Sequence, residues 1–300
     1  MLVGKVLRSP YAHAHIKNID IEEAANLEGV YAVITPKDLP KIKFATAGHP
    51  YSLDPSHRDV EDRLILTDKA RLVGDAIAAV VAKDEIIAEK ALKLIKVDYE
   101  ILPAVFDSEE SAKDDSPKIH EDRKNNIIAS SVIDIGDIES ELKNADFIFE
   151  DEYETSIVQH CQLENQTAYA YVDSDNRIVI VTSTQIPHIV RRIVGQALNI
   201  PWGRIRVIKP YIGGGFGNKQ DVIIEPLTAA MTLAVNGRPV RFSLSREEVF
   251  IDTRTRHAMK FNIKSAVSRE GKLLGIYMKN MVNNGAYSFS WTFHCYECSK

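Results

Sequence analysis

Short apolar segments with strand and helix periodicity alternate along the first third of the chain. Apolar runs and period-two alternation indicate strands, whereas apolar positions three and four apart indicate helices. Asp84 precedes such a helical pattern, and we expect its carboxylate to cap that helix. Segment 43–63 is polar and without periodicity, which predicts a long surface loop. The predicted elements are strands at 4–8, 16–21, 30–34, 76–82 and 96–101, and helices at 21–27 and 86–95.

A charged segment that contains a proline follows this α/β unit. Such composition is typical of a connection between domains. We therefore predict a domain at 1–110, a linker at 111–127 and a second domain at 128–300. In the second domain, Ser or Thr at 183–184 is expected to cap a helix whose first turn contains Pro187. Its predicted strands are 147–154, 168–172, 178–181, 205–208, 240–244 and 259–267, and its helices are 187–200 and 221–235.

Composition and charge exclude several classes of protein. The chain has 300 residues, 45% hydrophobic and 26% charged, which is ordinary for a globular protein of about two domains. A net charge of −5 argues against nucleic acid and anionic membranes as partners. The first residues lack the pattern of a secretory signal, and no run of eighteen apolar residues predicts a membrane span. Three cysteines do not form a disulfide framework, so we expect a cytoplasmic location.

Residues 211–220, YIGGGFGNKQ, form a glycine-rich loop between a predicted strand and a predicted helix. Glycine tolerates positive φ and permits close approach to the main chain, and successive exposed amides can bind an anion. The alternative is a tight turn held by a buried Phe216. A nucleotide-binding module is disfavoured, because a P-loop needs Ser or Thr where Gln220 stands. The third glycine of a dinucleotide fingerprint is also replaced, by Asn218.

Gln185 lies at a predicted strand-to-helix junction, a position that places side chains in clefts of α/β proteins. Its neutral amide can hold an oxo or carbonyl group, although a capping or solvated glutamine is the alternative. His160 and Glu164 are four residues apart, and we favour a hydrogen-bonded structural role over a metal pair.

Two further clusters are open to more than one interpretation. Arg254, Arg256 and His257 could bind phosphate or a carboxylate, or form a solvated surface. Cys295 and Cys298 form a single Cys-x-x-Cys pair near the chain end, which cannot complete a zinc site even with the adjacent histidine. No Ser-His-Asp signature and no paired-carboxylate site follows from the spacing.

Taken together, these segments resemble the large, molybdopterin-binding subunit of the xanthine dehydrogenase and aldehyde oxidase family, including members with split subunits such as nicotinate dehydrogenase. The resemblance implies an α+β fold: an α/β hammerhead domain followed by the first part of the molybdenum-cofactor domain. The segments that carry it occur in family order: GKVLRSPYAHAHI at 4–16, RLVGDAIAAVVA at 71–82, VDYEILPAV at 97–105, HCQLENQTAYA at 160–170, STQIPHIVRR at 183–192, IGGGFGNKQ at 212–220, SREEVFIDTRTRH at 245–257 and NGAY at 284–287.

The resemblance also assigns roles to individual residues. It implies that Gln185 hydrogen-bonds an oxo ligand of molybdenum and that Phe216 lies beside the metal. Gly214, Gly215 and Gly217 would lie against the pterin dithiolene, which holds the metal without protein side chains. We expect Gly215→Val to block cofactor binding, since a β-branched residue resists positive φ and its bulk occupies the approach to the main chain.

The activity implied is hydroxylation of an N-heterocycle or aldehyde, with water as the oxygen source. The cofactor would be molybdenum–molybdopterin, with the cytosine dinucleotide form as one option. Electrons would pass to iron–sulfur clusters and FAD on partner subunits. Gln220 stands where purine-oxidising members carry a substrate-binding glutamate, which argues against assuming xanthine.

The family pattern continues beyond residue 287, and the last dozen residues do not resemble it. We therefore expect a truncated chain that requires a second molybdopterin-domain chain for activity. The alternative is a noncatalytic remnant that folds but binds no cofactor.

Overall fold

The computed structural model describes residues 1–46 and 60–288. The helices are α1 (Glu22–Ala25), α2 (Glu85–Leu94), α3 (Ser108–Ser111), α4 (Ile138–Asn144), α5 (Pro187–Leu198), α6 (Glu225–Ala234) and α7 (Arg246–Asp252). The strands are β1 (Leu2–Arg8), β2 (Ala14–Asp20), β3 (Val30–Ile34), β4 (Lys69–Ala70), β5 (Ala76–Ala82), β6 (Lys96–Ile101), β7 (Phe147–Thr155), β8 (Val158–Gln159), β9 (Thr167–Val172), β10 (Ile178–Thr182), β11 (Ile205–Ile208), β12 (Val240–Ser243), β13 (Thr255–Arg256), β14 (Ala258–Val267) and β15 (Leu273–Asn283).

The described chain divides into two compact units, of which the first contains Met1–Ala104, Gln159–Arg254 and 286–288. Its main sheet has seven strands in the order β11-β10-β9-β12-β1-β5-β3. β1 joins the two sequence segments, because it pairs in parallel with β12 and antiparallel with β5. A second, three-stranded sheet of this unit has the order β4-β2-β6.

β5 is buried on both faces, which explains its nearly continuous apolar sequence AIAAVVA. Alternate side chains of a strand point to opposite faces. Ala78, Val80 and Ala82 therefore pack in the smaller apolar cluster, which contains residues of α1 and α2. Ala79 and Val81 pack in the larger cluster, which contains residues of α5 and α6. The predicted cap of α2 is confirmed, since Asp84 accepts a hydrogen bond from the Ile87 amide.

The second unit contains Val105–Val158 and Thr255–Gly285. Its three-stranded antiparallel sheet has the order β15-β14-β7. β14 is the central strand, with Phe261 paired to Tyr153 of β7 and to Asn280 of β15. The short helix α4 packs against β14 and β15. No helix in the described part of either unit is long and apolar enough to span a membrane.

The predicted strands lie within two residues of the observed ones, but two local predictions were wrong. Phe44 and Ala45 are buried rather than part of a surface loop, and Phe44 bridges to Arg63; positions 47–59 lie outside the described residues. The N-cap of α5 is Ile186, which makes no side-chain cap bond. Thr184 instead accepts a hydrogen bond from the Ile186 amide, one residue before the helix.

Candidate functional site

The glycine-rich loop leaves β11, continues into a 3-10 turn at Asn218–Gln220 and precedes α6. Gly214 and Gly217 have φ of 93° and 91°, in the region that favours glycine. Phe216 lies between them at φ 50°, an unusual conformation for a large residue. Its side chain is 74% exposed, so the alternative of a buried phenylalanine anchor was wrong.

Gly215 needs space rather than positive φ. Its φ is outside the left-handed region, so the first reason given above for the effect of Gly215→Val was wrong, whereas the steric reason is not affected. A Cβ at this position would lie 2.7 Å from Oε1 of Gln185. The loop therefore packs directly on Gln185, and a bare backbone at Gly215 is a condition for that contact.

Gln185 lies in the short connection between β10 and α5, as the sequence predicted. Its backbone amide donates to the carbonyl of Lys219 at 2.9 Å, which fixes the connection to the far end of the glycine loop. The side-chain Oε1 is buried and has no hydrogen-bond partner within residues 1–46 and 60–288. A buried, unsatisfied polar atom costs free energy, and such atoms occur where a ligand supplies the missing partner.

A network of side-chain amides centred on Asn218 supports the loop. Asn218 is fully buried, and its Oδ1 accepts a hydrogen bond from Nε2 of Gln166. Its Nδ2 lies 2.8 Å from Oε1 of Gln159 and 2.9 Å from the carbonyl of Arg254. His160 Nδ1 is 3.3 Å from the same nitrogen. Asn218 thus connects the chain around residue 160 to the chain around residue 254 through one side chain.

Glu164 and Lys219 hold the two ends of the loop. Lys219 is buried, and its Nζ lies 2.8 Å from Oε1 of Glu164. The other oxygen of Glu164 accepts a hydrogen bond from the Gly213 amide. Burial opposes ionisation of this carboxyl, but hydrogen bonds from Lys219 and Gly213 outweigh it, so the pKa of Glu164 is lowered.

His160 and Glu164 each take part in the hydrogen bonds that hold the loop. Burial lowers the pKa of His160, and the nearby Arg254 guanidinium lowers it further, so the ring is neutral at neutral pH. Across the described residues, no group of three or more His, Cys, Asp or Glu side chains could hold a metal ion.

Of the basic cluster Arg254, Arg256 and His257, Arg254 makes contacts that support the glycine loop. Arg254 forms an ion pair with the buried Asp221 at 3.0 Å, and its guanidinium lies 3.4 Å from the Gly217 carbonyl. Gln220 is exposed at the end of the 3-10 turn, where its backbone amide donates to the carbonyl of Gly217 at 3.1 Å. The Cys295-x-x-Cys298 pair lies outside the described residues.

The support for the loop was missed at the level of sequence. Glu164 and Lys219 are 55 residues apart, and no local pattern links them. α7 did carry a signal, because Ser245 and Glu248 have the spacing of a capping box, and the structure contains that box.

The arrangement leaves the main chain of the loop open to close approach by a bulky group. Bare backbone at Gly214, Gly215 and Gly217 would permit close approach, and the exposed ring of Phe216 covers part of the same surface. The buried Oε1 of Gln185 offers an unused hydrogen-bond acceptor beside them, suited to an N–H or O–H donor.

Comparison with known proteins agrees with this geometry. Residues 1–103 match the family model "Aldehyde oxidase and xanthine dehydrogenase, a/b hammerhead domain", and residues 119–298 match "Molybdopterin cofactor-binding domain". The xanthine dehydrogenase molybdenum-binding subunit of Escherichia coli O157:H7 is 46% identical over 96% of this chain, which spans 38% of that protein. The nicotinate dehydrogenase large molybdopterin subunit of Eubacterium barkeri is 32% identical over 96% of this chain and 65% of its own length.

Among solved structures, the aldehyde oxidoreductase from Desulfovibrio gigas superposes with a TM-score of 0.85 at 28% identity. The superposition covers 94% of this chain and 31% of that one. The predicted fold, a hammerhead domain followed by the first part of a molybdenum-cofactor domain, is thereby confirmed.

Proposed function

Because the chain belongs to the xanthine dehydrogenase and aldehyde oxidase family of molybdenum oxidoreductases, we propose that it supplies the molybdopterin-binding surface of a molybdenum hydroxylase. The chain spans less than half of the length of the E. coli relative, so the complete enzyme includes more protein than residues 1–300. In this proposal, activity requires partner chains: a second molybdopterin-domain polypeptide, an iron–sulfur subunit and an FAD subunit.

The contact between Gly215 and Gln185 carries the proposal. It places an unsatisfied buried amide oxygen against a backbone without side chains, beside the exposed Phe216. We assign the backbone of Gly214, Gly215 and Gly217 to the pterin dithiolene. The Gln185 amide would then hold the group through both its atoms, with Nε2–H donating to an oxo ligand and Oε1 accepting from an N–H or O–H, and Phe216 would limit the space beside it.

When bound, the molybdenum–molybdopterin cofactor supplies the oxidation of a substrate carbon with water as the source of oxygen. The contribution of this chain is to hold and orient. The Glu164–Lys219 pair fixes the loop, and the Lys219 carbonyl fixes Gln185, so both sides of the site depend on one residue. His160 stays neutral near the loop and adds no positive charge to it.

Gln220 is assigned to the substrate side of the site, on the turn that follows Phe216. A neutral amide donates and accepts hydrogen bonds but supplies no carboxylate charge. An N-heterocycle or an aldehyde, recognised without a negative side chain at this position, fits best. The cytosine dinucleotide form of the cofactor, a cytoplasmic location and domain boundaries at 110 and 128 stay predictions.

The test is metal and pterin analysis of the protein purified from its native host with everything that copurifies. Stoichiometric molybdenum with iron and a second polypeptide would support a hydroxylase subunit, and a screen of heterocycles and aldehydes would follow. Absence of both molybdenum and a partner would contradict the proposal and favour the noncatalytic remnant.

A further inference from the structure

The sheet β15-β14-β7 has one strongly apolar face. Side chains alternate along each strand, and paired residues of antiparallel neighbours share a face. The register therefore places Phe147, Phe149 and Tyr153 of β7 together with the paired positions of β14 and β15. The same face carries Phe261, Ile263 and Met278, and also Asp151, which pairs with Ile263.

The β7 side chains on this face are exposed to solvent. Phe147, Phe149 and Tyr153 are 50%, 56% and 54% exposed, and Phe261 and Ile263 are only half-buried. An antiparallel sheet normally buries its apolar face against another layer. Contiguous exposed apolar surface of this kind marks an interaction site.

The opposite face has the composition of a solvated surface. Glu150 and Lys264 form an ion pair at 2.8 Å, and Lys260 pairs with Glu109 at 2.8 Å. Glu152 accepts a hydrogen bond from Asn262 across the strands. The two faces thus differ in charge, and Ala266 on the charged face is buried whereas the aromatic side chains of β7 on the other face are exposed.

Two observations identify the partner. The sheet lies within the segment that matches the molybdopterin cofactor-binding domain, and the chain spans only 38% of its E. coli relative. β7 also carries four acidic residues within nine positions, at 150–152 and 154, so edge-to-edge pairing with a second copy would place like charges together.

We propose that the apolar face of this sheet packs against the part of the molybdopterin-binding subunit that residues 1–300 do not contain, through an apolar layer contributed by that part. This proposal rests on the proposed function and names the surface that its second polypeptide occupies. It also explains why Phe149 and the neighbouring aromatic residues of β7 are exposed, without assigning them a role at the glycine loop.

Two adjacent residues of β7 provide a matched test. Phe149 and Ile148 have nearly equal exposure, 56% and 54%, but point to opposite faces. Phe149→Glu is expected to reduce recovery of the second polypeptide at least tenfold in the complex purified from the native host. Ile148→Glu is expected to change this recovery less than twofold. The thermal unfolding midpoints of the two variants should agree with each other.

A photoreactive phenylalanine at position 149 extends the test, with position 148 as the control. Cross-links from 149 that mass spectrometry assigns to sequence homologous to the unmatched part of the E. coli relative would support the proposal. Cross-links to a second copy of residues 1–300, or equal effects of the two glutamate variants, would overturn it. Molybdenum content of the wild-type complex is measured separately. If that complex contains no molybdenum but Phe149→Glu still releases the second polypeptide, the proposed function is refuted and the docking surface is supported.

Discussion

Lys219 and Glu164 form an ion pair beneath the glycine loop, with 2.8 Å between Nζ and Oε1. The two partners differ in environment, because the lysine side chain is 1% exposed and the glutamate side chain is 33% exposed. A charge left alone is costly in the interior and cheap where water reaches it.

Glu164→Gln should therefore destabilise the protein more than Lys219→Met. The glutamine variant leaves the buried ammonium without its carboxylate, and we expect a loss of about 2–3 kcal/mol in the free energy of unfolding. The methionine variant leaves a carboxylate that water can reach, and we expect a loss of about 1 kcal/mol. Urea denaturation at neutral pH measures both, and the reverse order would contradict the asymmetry.

Gly215→Ala should displace the Gln185 amide without unfolding the chain. The added Cβ would lie 2.7 Å from Oε1, and the end of a glutamine side chain can move aside. We expect molybdenum content to fall by roughly tenfold, which corresponds to about 1.4 kcal/mol of binding free energy. Gly203→Ala is the control, because its Cβ would meet no atom within 4 Å. Equal molybdenum content in the two variants would refute the contact's role.

Phe216→Ala should lower turnover without lowering stability. The ring is 74% exposed, so its removal is expected to change the free energy of unfolding by less than about 0.5 kcal/mol. We expect kcat of the assembled enzyme to fall roughly tenfold. Phe106→Ala, which removes a ring of 80% exposure that is not part of the glycine loop, is the matched control. A thermal midpoint that falls in step with kcat would instead indicate a structural role.

Glu225, the first residue of α6, should make stability depend on pH. Burial raises the pKa of its carboxyl, despite hydrogen bonds from Thr182 and the Ile223 amide. Since the folded pKa lies above the unfolded one, no penalty exists below the unfolded pKa, and stability falls as pH rises through the folded pKa. Glu225→Gln removes this ionisation.

The difference in stability between Glu225→Gln and the wild-type chain should therefore shift in favour of glutamine as the pH rises from about 4 to 8. Urea denaturation at several pH values measures the slope. If Glu225→Gln also loses the hydrogen bond from the Ile223 amide, the free energy of unfolding changes by a constant amount at every pH. A pH-independent difference would show that Glu225 keeps the same charge in the folded and unfolded chains.

Local patterns predicted the strands well because each reflects burial of nearby residues. β5 is a continuous apolar run, and α5 places Val190, Ile193 and Val194 on one buried face, as its spacing predicted. The short helix α4 was missed, since two turns of mainly polar sequence carry little periodicity.

Contacts across the sequence could not be predicted in this way. The positive φ of Phe216 follows from the packing of the loop, and the Glu164–Lys219 pair joins distant segments. Gly215 shows the difference most clearly: the sequence indicated that a side chain there would be in the way, but not that Gln185 is the residue it would meet.

The pairing of β1 with β12 has a consequence for folding and for protein engineering. Leu2 and Gly4 align with Val240 and Phe242 in the middle of a seven-stranded sheet, so the ladder closes only after residue 240 has been synthesised. Residues 1–104 expressed alone would present the open side of β1 to other chains, a recognised route to aggregation. Residues 1–104 and the segment that contains β12 should therefore unfold in a single cooperative transition. They should also be transferred or permuted in engineered proteins only together.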